Sequence, residues 1–201
     1  MSQDTITTDL EMMYQWAKNT PGNINEHIPV LFEYAKQCQT ITELGTGAYP
    51  VSSWGFLRAK PKKFTTIDAS DPSLIPEAKK IAADNSIEFE FIKADTGNPD
   101  LVLEETDLLF IDTWHTYDQL KQEFKLHANK ARKYIVLHDT TTFGNRDEGF
   151  GAPYYPDLFV QPSSGRGIWP VVEEFLVENT NWSLVIRYTN NNGLTVLKRI
   201  E

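Results

Sequence analysis

From residue 41 to residue 139 short apolar runs alternate with helical patterns, and this rhythm restricts the chain to very few folds. Ile41–Leu44, Lys63–Asp68, Glu88–Lys93, Asp107–Asp112 and Tyr134–Asp139 read as strands. Between them, Ser52–Ala59, Pro76–Asp84 and Thr116–Lys130 read as helices, the second with Pro76 near its first position and the third capped by Thr116. The run Asp107-Leu-Leu-Phe-Ile-Asp112 is continuously apolar at its centre, as a strand covered on both faces must be. Strands and helices in alternation imply a parallel sheet with helices on both faces. The end of the chain breaks the rhythm. A helix over Gly167–Val177 precedes Trp182–Tyr188 and Leu194–Ile200, and Asn190-Asn191-Asn192-Gly193 between these two suits the positive φ of a hairpin turn. The expected fold is therefore α/β, a Rossmann-like, seven-stranded, mostly parallel sheet closed by a C-terminal antiparallel hairpin.

Two amphipathic helices open the chain. Thr8 and Glu11 form a capping box before Leu10, Met13, Tyr14 and Ala17; after Pro21-Gly22, the spacing recurs at Ile28, Leu31, Phe32 and Ala35. With 201 residues, one domain is expected, divided into N-terminal helices (1–38), a ligand-binding core (39–139), an insertion (140–166) and the closing helix and hairpin (167–201). The single cysteine, Cys38, excludes an internal disulfide scaffold and a Cys-rich zinc site. Residues 1–8 carry no signal pattern, and no apolar run approaches the ~18 residues of a membrane span, so a cytoplasmic location without membrane contact is expected. A net charge of −9 argues against bulk nucleic-acid binding, which needs clustered cations.

Glu43-Leu-Gly45-Thr-Gly47 lies where the first strand delivers the chain to a helix. Glycine there allows close approach of a ligand to backbone N–H groups. Pro50 occupies the place of the third glycine of a dinucleotide fingerprint, which counts against NAD. Asp68 ends the second strand, where an acid can accept both ribose hydroxyls of a nucleoside; Asp95, after the third, is a second candidate on the adenine side. Asp112 and Asp139 end adjacent strands of a parallel sheet and should meet beside the glycine loop. Two ionised carboxylates there call for a cation, with His138 as a third ligand. The structural alternatives are Asp112 as a turn cap and His138 as a satisfied buried histidine. His127 lies near the apolar face of its helix, His27 is read as a packing or solvated residue, and Lys60-Pro-Lys-Lys63 as a charged turn.

The glutamate and glycine loop, the acid after the second strand and the closing hairpin resemble class I S-adenosylmethionine-dependent methyltransferases over residues 39–200. Their usual third glycine falls at Tyr49 here. Ile-Asp112-Thr-Trp-His115-Thr-Tyr117, His138-Asp139-Thr140 and Gly167-Ile-Trp-Pro-Val-Val-Glu-Glu-Phe-Leu176 resemble the subgroup of cephalosporin hydroxylase-like proteins and metal-dependent sugar O-methyltransferases. That resemblance implies S-adenosylmethionine held by Glu43, Gly45, Gly47, Asp68 and Asp95. It also implies a divalent metal on Asp112, His138 and Asp139, and His115 as general base. Oxygen ligands are favoured there, and a histidine leaves manganese or iron open beside magnesium. The acceptor would be a small hydroxylated molecule, sugar-like or a natural product. A metal-dependent hydroxylase-like enzyme and a non-catalytic S-adenosylmethionine binder are the alternatives. The insertion, with Phe143, Phe150, Tyr154, Tyr155, Phe159, Arg146 and Arg166, is expected to act as a lid over the acceptor, with a second subunit as a further contributor.

Overall fold

The computed structural model describes residues 9–149, 159 and 164–200. Seven strands form one sheet in the order β3-β2-β1-β4-β5-β7-β6. They are β1 (Thr40–Leu44), β2 (Lys63–Asp68), β3 (Glu88–Lys93), β4 (Thr106–Ile111), β5 (Ala131–His138), β6 (Trp182–Tyr188) and β7 (Leu194–Arg199). The first five pair in parallel, and β7 runs antiparallel to both of its neighbours. Six helices accompany them: α1 (Asp9–Asn19), α2 (Ile28–Ala35), α3 (Val51–Arg58), α4 (Ile75–Asp84), α5 (Tyr117–His127) and α6 (Trp169–Glu178). Among the described residues, no helix is long and apolar enough to cross a membrane.

The period-2 alternation of strand side chains divides the core in two. Ile41, Phe64, Leu108, Phe110, Tyr134 and Val136 face α1 to α4, whereas Leu44, Ile67, Leu109, Ile111, Ile135 and Leu137 face α5 and α6. All six residues of β4 are buried, which is why its sequence is apolar without alternation. The opening helices dock on α3 through Arg58, whose guanidinium lies over the rings of Tyr14 and Phe32 and pairs with Glu11 at 2.7 Å. Thr8 lies outside the described residues, but the apolar positions Leu10, Tyr14, Ala17, Ile28, Leu31 and Ala35 are buried as their spacing predicts. Thr116 caps α5 by accepting the Gln119 N–H at 3.2 Å. The helix expected to continue to Lys130 ends at His127, and one tighter turn, Ala128–Lys130, leads into β5.

Residues 140–149 of the expected lid form turns folded against the sheet edge. Thr141 and Thr142 donate their N–H groups to the Asn192 carbonyl in the β6–β7 turn, and Glu148 donates its N–H to the His115 carbonyl. Phe150, Tyr154 and Tyr155 lie outside the described residues. The base of the insertion is pinned by Asp147, which is buried and accepts the backbone N–H groups of Tyr117, Gly165 and Gly167 at 2.9, 2.7 and 2.8 Å. Gly167 is needed at this point: its φ is +75°, and a Cβ would sit 2.3 Å from the Arg146 nitrogen. Arg166, expected to face an acceptor, instead pairs with Glu174 at 2.8 Å and covers the Tyr117 ring.

Truncating Asp147 would orphan three N–H groups at a packed junction. Asp147→Ala is expected to lower unfolding free energy by about 2–4 kcal/mol, and Asp147→Asn by less. Urea denaturation followed by tryptophan fluorescence measures both; an unchanged midpoint in the alanine variant would remove Asp147 as the pin.

Candidate functional site

The C-terminal ends of β1, β2, β4 and β5 open on the same edge of the sheet, the usual place for a ligand in such a fold. A cavity of about 250 Å³ lies there, lined by Gly45, Gly47, Asp68, Asp95, Asp112, Trp114 and neighbouring side chains. The two glycines differ in what they make room for. A Cβ on Gly45 would fall 1.9 Å from the Asp112 carbonyl oxygen, so this glycine lets the ends of β1 and β4 meet. A Cβ on Gly47 would find only the Tyr49 oxygen, at 4.0 Å, so its open side is the one a ligand can use.

Asp68 clasps the glycine loop. One of its oxygens accepts the N–H groups of Thr46 and Gly47, both at 2.9 Å, and the other accepts the Ser70 N–H and hydroxyl at 2.8 and 2.6 Å. Asp95 also lines the cavity and accepts the N–H of Gly97 at 2.8 Å and that of Phe159. Glu43 does not join them. It is completely buried on the α3 side of β1, where Ser52, Ser53 and Thr66 donate their hydroxyls to it at 2.5, 2.6 and 2.6 Å. Burial pushes its carboxyl up to about 7 against the pull of these three bonds. The Thr66 hydroxyl also meets that of Thr46, so Glu43 supports the glycine loop from beneath.

Asp112, which lines the cavity, converges with His115, His138 and Asp139. His138 Nδ1 lies 2.9 Å from Asp139 Oδ2 and 3.3 Å from Asp112 Oδ2. His115 Nε2 lies 3.0 Å from Asp139 Oδ2 and bonds to Asp112 Oδ1 at 3.1 Å. One ligand atom each from Asp112, His138 and Asp139 falls within 4.8 Å of the others, close enough to share an ion. His138 Nδ1 and both Asp139 oxygens are buried, and beyond these ion-pair approaches no regular hydrogen bond reaches them among the described residues. Asp139 also adopts a left-handed φ of 59°, costly for a residue with a side chain. Burial disfavours the charged form of every member, but mutual attraction outweighs it. Asp112 and Asp139 are held below the usual carboxylate range, His115 well above its own, and His138 is pushed up to about 10.

Several members of the site are invisible to motif reading. Glu148 bonds to His115 Nδ1 at 2.9 Å and is held below its ordinary pKa by that contact. Phe143 stacks on the His115 ring, with centroids 4.9 Å apart and planes 9° from parallel. The carbonyls of Asn23 and Asn191 lie 3.0 and 3.1 Å from His138 Nε2. Only the aromatic content of the insertion hinted at Phe143, and nothing in the sequence pointed to the two carbonyls. His27 and His127 are packing residues, each bonded through Nε2 to a backbone carbonyl.

No family model and no curated protein matches the chain. Solved structures do match it in shape. The chain is similar to SAH-bound Podospora anserina methyltransferase PaMTH1 at 14% identity and a TM-score of 0.58, over 96% of this chain and 88% of that one. It is similar to a Staphylococcus aureus protein described as a caffeoyl-CoA O-methyltransferase at 16% identity and a TM-score of 0.62, over 96% and 92% of the two chains. A third is the MycE methyltransferase from the mycinamycin biosynthetic pathway, in complex with Mg, SAH and mycinamycin VI. The identity is 14% and the TM-score 0.59, over 98% of this chain and 54% of that one. The chain has the class I methyltransferase fold.

The buried Glu43 carboxyl makes stability depend on pH in a definite direction. Its folded-state pKa of about 7 lies above the ordinary 4.5, so its contribution is complete below the ordinary value and is lost as pH rises through 7. At about 1.4 kcal/mol per pKa unit, the loss approaches ~3 kcal/mol. Glu123, on the buried face of α5 with its carboxyl also raised to about 7, acts in the same sense. Urea midpoints at pH 5 and pH 8 are expected to differ less in Glu43→Gln than in the parent chain; an equal difference would show that Glu43 is ionised throughout.

Proposed function

We propose that the chain is an S-adenosylmethionine-dependent O-methyltransferase acting on a small hydroxylated acceptor, sugar-like or a natural product, with a divalent ion on Asp112, His138 and Asp139. One observation carries this reading: Asp112 belongs both to the wall of the glycine-loop cavity and to the buried carboxylate–imidazole cluster. A single residue thus joins a nucleoside-sized groove to a cation site.

The residues present fit both groups. Gly47 leaves its side of the loop open, and Asp95 stands across the same cavity. Every acceptor direction of Asp68 is taken within the chain; Ser70 supplies the exposed hydroxyl that Asp68 would exchange for a ribose hydroxyl. The orphaned Nδ1 of His138 and the two unbonded oxygens of Asp139 are the donors that a cation would satisfy. The fold is shared with structures that hold SAH and, in one case, Mg.

Bound S-adenosylmethionine supplies a methyl group already activated on a sulfonium, so the protein's task is mainly alignment. A divalent ion supplies Lewis acidity, binding the acceptor's oxygens and lowering the pKa of its hydroxyl. His115 is positioned to receive the hydroxyl proton at Nε2, because Glu148 holds Nδ1 and Phe143 fixes the plane of the ring. In the absence of other cations Asp112 and Asp139 keep a proton on that nitrogen, and His115 becomes a base once their charge is neutralised. Trp114 lines the cavity, and the turns of residues 140–149 pack on His115 through Phe143 and Glu148.

Two variants separate the halves of the site. Asp139→Ala is expected to abolish methyl transfer while SAH affinity, read by calorimetry, changes less than about twofold. Asp68→Ala loses charge-assisted bonds on the glycine loop and is expected to weaken SAH binding by about tenfold or more. Product mass identifies the transferred group. Full turnover by Asp139→Ala or after thorough chelation would sink the metal-assisted reading, and no SAH binding by the parent chain would sink the methyltransferase reading itself.

A further inference from the structure

The cation site contains a nitrogen donor whose orientation is fixed from outside the cluster. His138 is buried at the end of β5, and its Nε2 lies within hydrogen-bond reach of the Asn23 and Asn191 carbonyl oxygens. A carbonyl oxygen can only accept, so Nε2 carries the hydrogen. Nδ1 is therefore the nitrogen turned toward Asp112 and Asp139, 3.3 and 2.9 Å away, and a cation that takes the place of its proton meets the Nδ1 lone pair. The two carbonyls come from segments far apart in sequence, yet these segments are tied to each other. The Asn191 side chain donates to the Gly22 carbonyl and accepts the Glu26 N–H, both at 3.0 Å, and His27 Nε2 bonds to the Asn190 carbonyl at 3.0 Å. The ring cannot turn to offer Nε2 without breaking this clamp.

We propose that the ion held by Asp112, Asp139 and His138 is a first-row transition ion bound through the His138 Nδ1 atom, with magnesium a poor occupant. This rests on reading the cluster as a cation site and adds the identity of its donor atoms. Magnesium demands oxygen ligands in near-octahedral array and keeps its water, whereas imidazole nitrogen suits manganese, iron, cobalt and their neighbours. The partners of the outer ring nitrogen support the assignment: a ligating histidine characteristically donates its other ring N–H to a carbonyl or carboxylate, and Asn23 and Asn191 supply two carbonyls for that purpose. Among the described residues Asp139 Oδ1 has no hydrogen-bond partner and Oδ2 meets only the two histidine rings, which leaves both oxygens available to the same ion.

The test uses the full chain, stripped of metal with a chelator and titrated separately with Mg²⁺, Mn²⁺ and Co²⁺. In the Mn²⁺-loaded protein, pulsed electron paramagnetic resonance should detect coupling to an imidazole nitrogen. Calorimetry should show Co²⁺ binding at least about 100-fold more tightly than Mg²⁺, and His138→Glu, which restores an all-oxygen set, should narrow that ratio by about tenfold or more. Absence of nitrogen coupling in the parent chain overturns the proposal even if His138→Glu fails to fold, and so does an unchanged ratio in a folded His138→Glu. If binding is nevertheless lost in Asp139→Asn, the cation site itself stands. If no divalent ion binds the parent chain at all, both the proposal and the metal-assisted reading fall.

Discussion

Neighbouring parallel strands leave the sheet at the same edge, and β4 and β5 are each followed directly by an aspartate there. Asp112 and Asp139 are thus brought side by side in a poorly solvated place, where two negative charges cannot persist unaccompanied. Much of the surrounding architecture follows from this. His115 reaches back from the turn after β4, His138 stands directly before Asp139, and both rings approach Asp139 Oδ2 from within about 3 Å. Neither histidine is held by the carboxylates alone. Glu148 and Phe143 fix one ring, and the carbonyls of Asn23 and Asn191 fix the other. The strained φ of Asp139 is tolerated because the elements around it determine its position.

The glycine loop is built on the same logic of determination from several sides. Gly45 closes onto the Asp112 backbone, Asp68 gathers the N–H groups of Thr46 and Gly47, and Glu43 anchors α3 and Thr66 below. A conformation set in this way does not need the ligand to organise it, so less ordering has to accompany binding. The cost is the buried Glu43; Glu123 is buried in the same way on α5 against Thr96, Thr113 and Gln119, and both carboxyls are raised to about 7. Their hydroxyl and amide partners lower that cost but do not remove it.

How much of this is legible in the sequence depends on whether an interaction is local. The strands and helices follow from periodicity, and β4 announces its position at the centre of the sheet by being apolar at every inner position. The meeting of Asp112 and Asp139 follows from the rule that adjacent parallel strands share an edge. The roles of Glu43 and Arg166 do not follow. The strand alternation that puts Glu43 beside Ile41's face carries it away from the cavity, and Arg166 finds Glu174 two turns along the next helix. Glu148, Asn23 and Asn191 act through contacts spanning 33, 115 and 53 residues, two of them through backbone carbonyls that no side-chain pattern encodes.

Those long contacts also bear on how the chain divides. Taken as sequence, residues 1–38, 39–139, 140–166 and 167–201 are four parts of one domain, with every candidate metal, base and cofactor residue in the second. In the structure each of the four places a group on the same two histidines: Asn23 from the first, Asp112 and Asp139 from the second, Glu148 from the third and Asn191 from the fourth. On the proposed reading of the cluster as a cation site, a histidine in place of an oxygen ligand gives this arrangement its purpose. A carboxylate can meet an ion through either oxygen, whereas an imidazole must have one nitrogen occupied elsewhere before the other is presented correctly. The opening helices and the closing hairpin supply that occupation, so the periphery of the fold takes part in holding the cluster at the edge of the sheet.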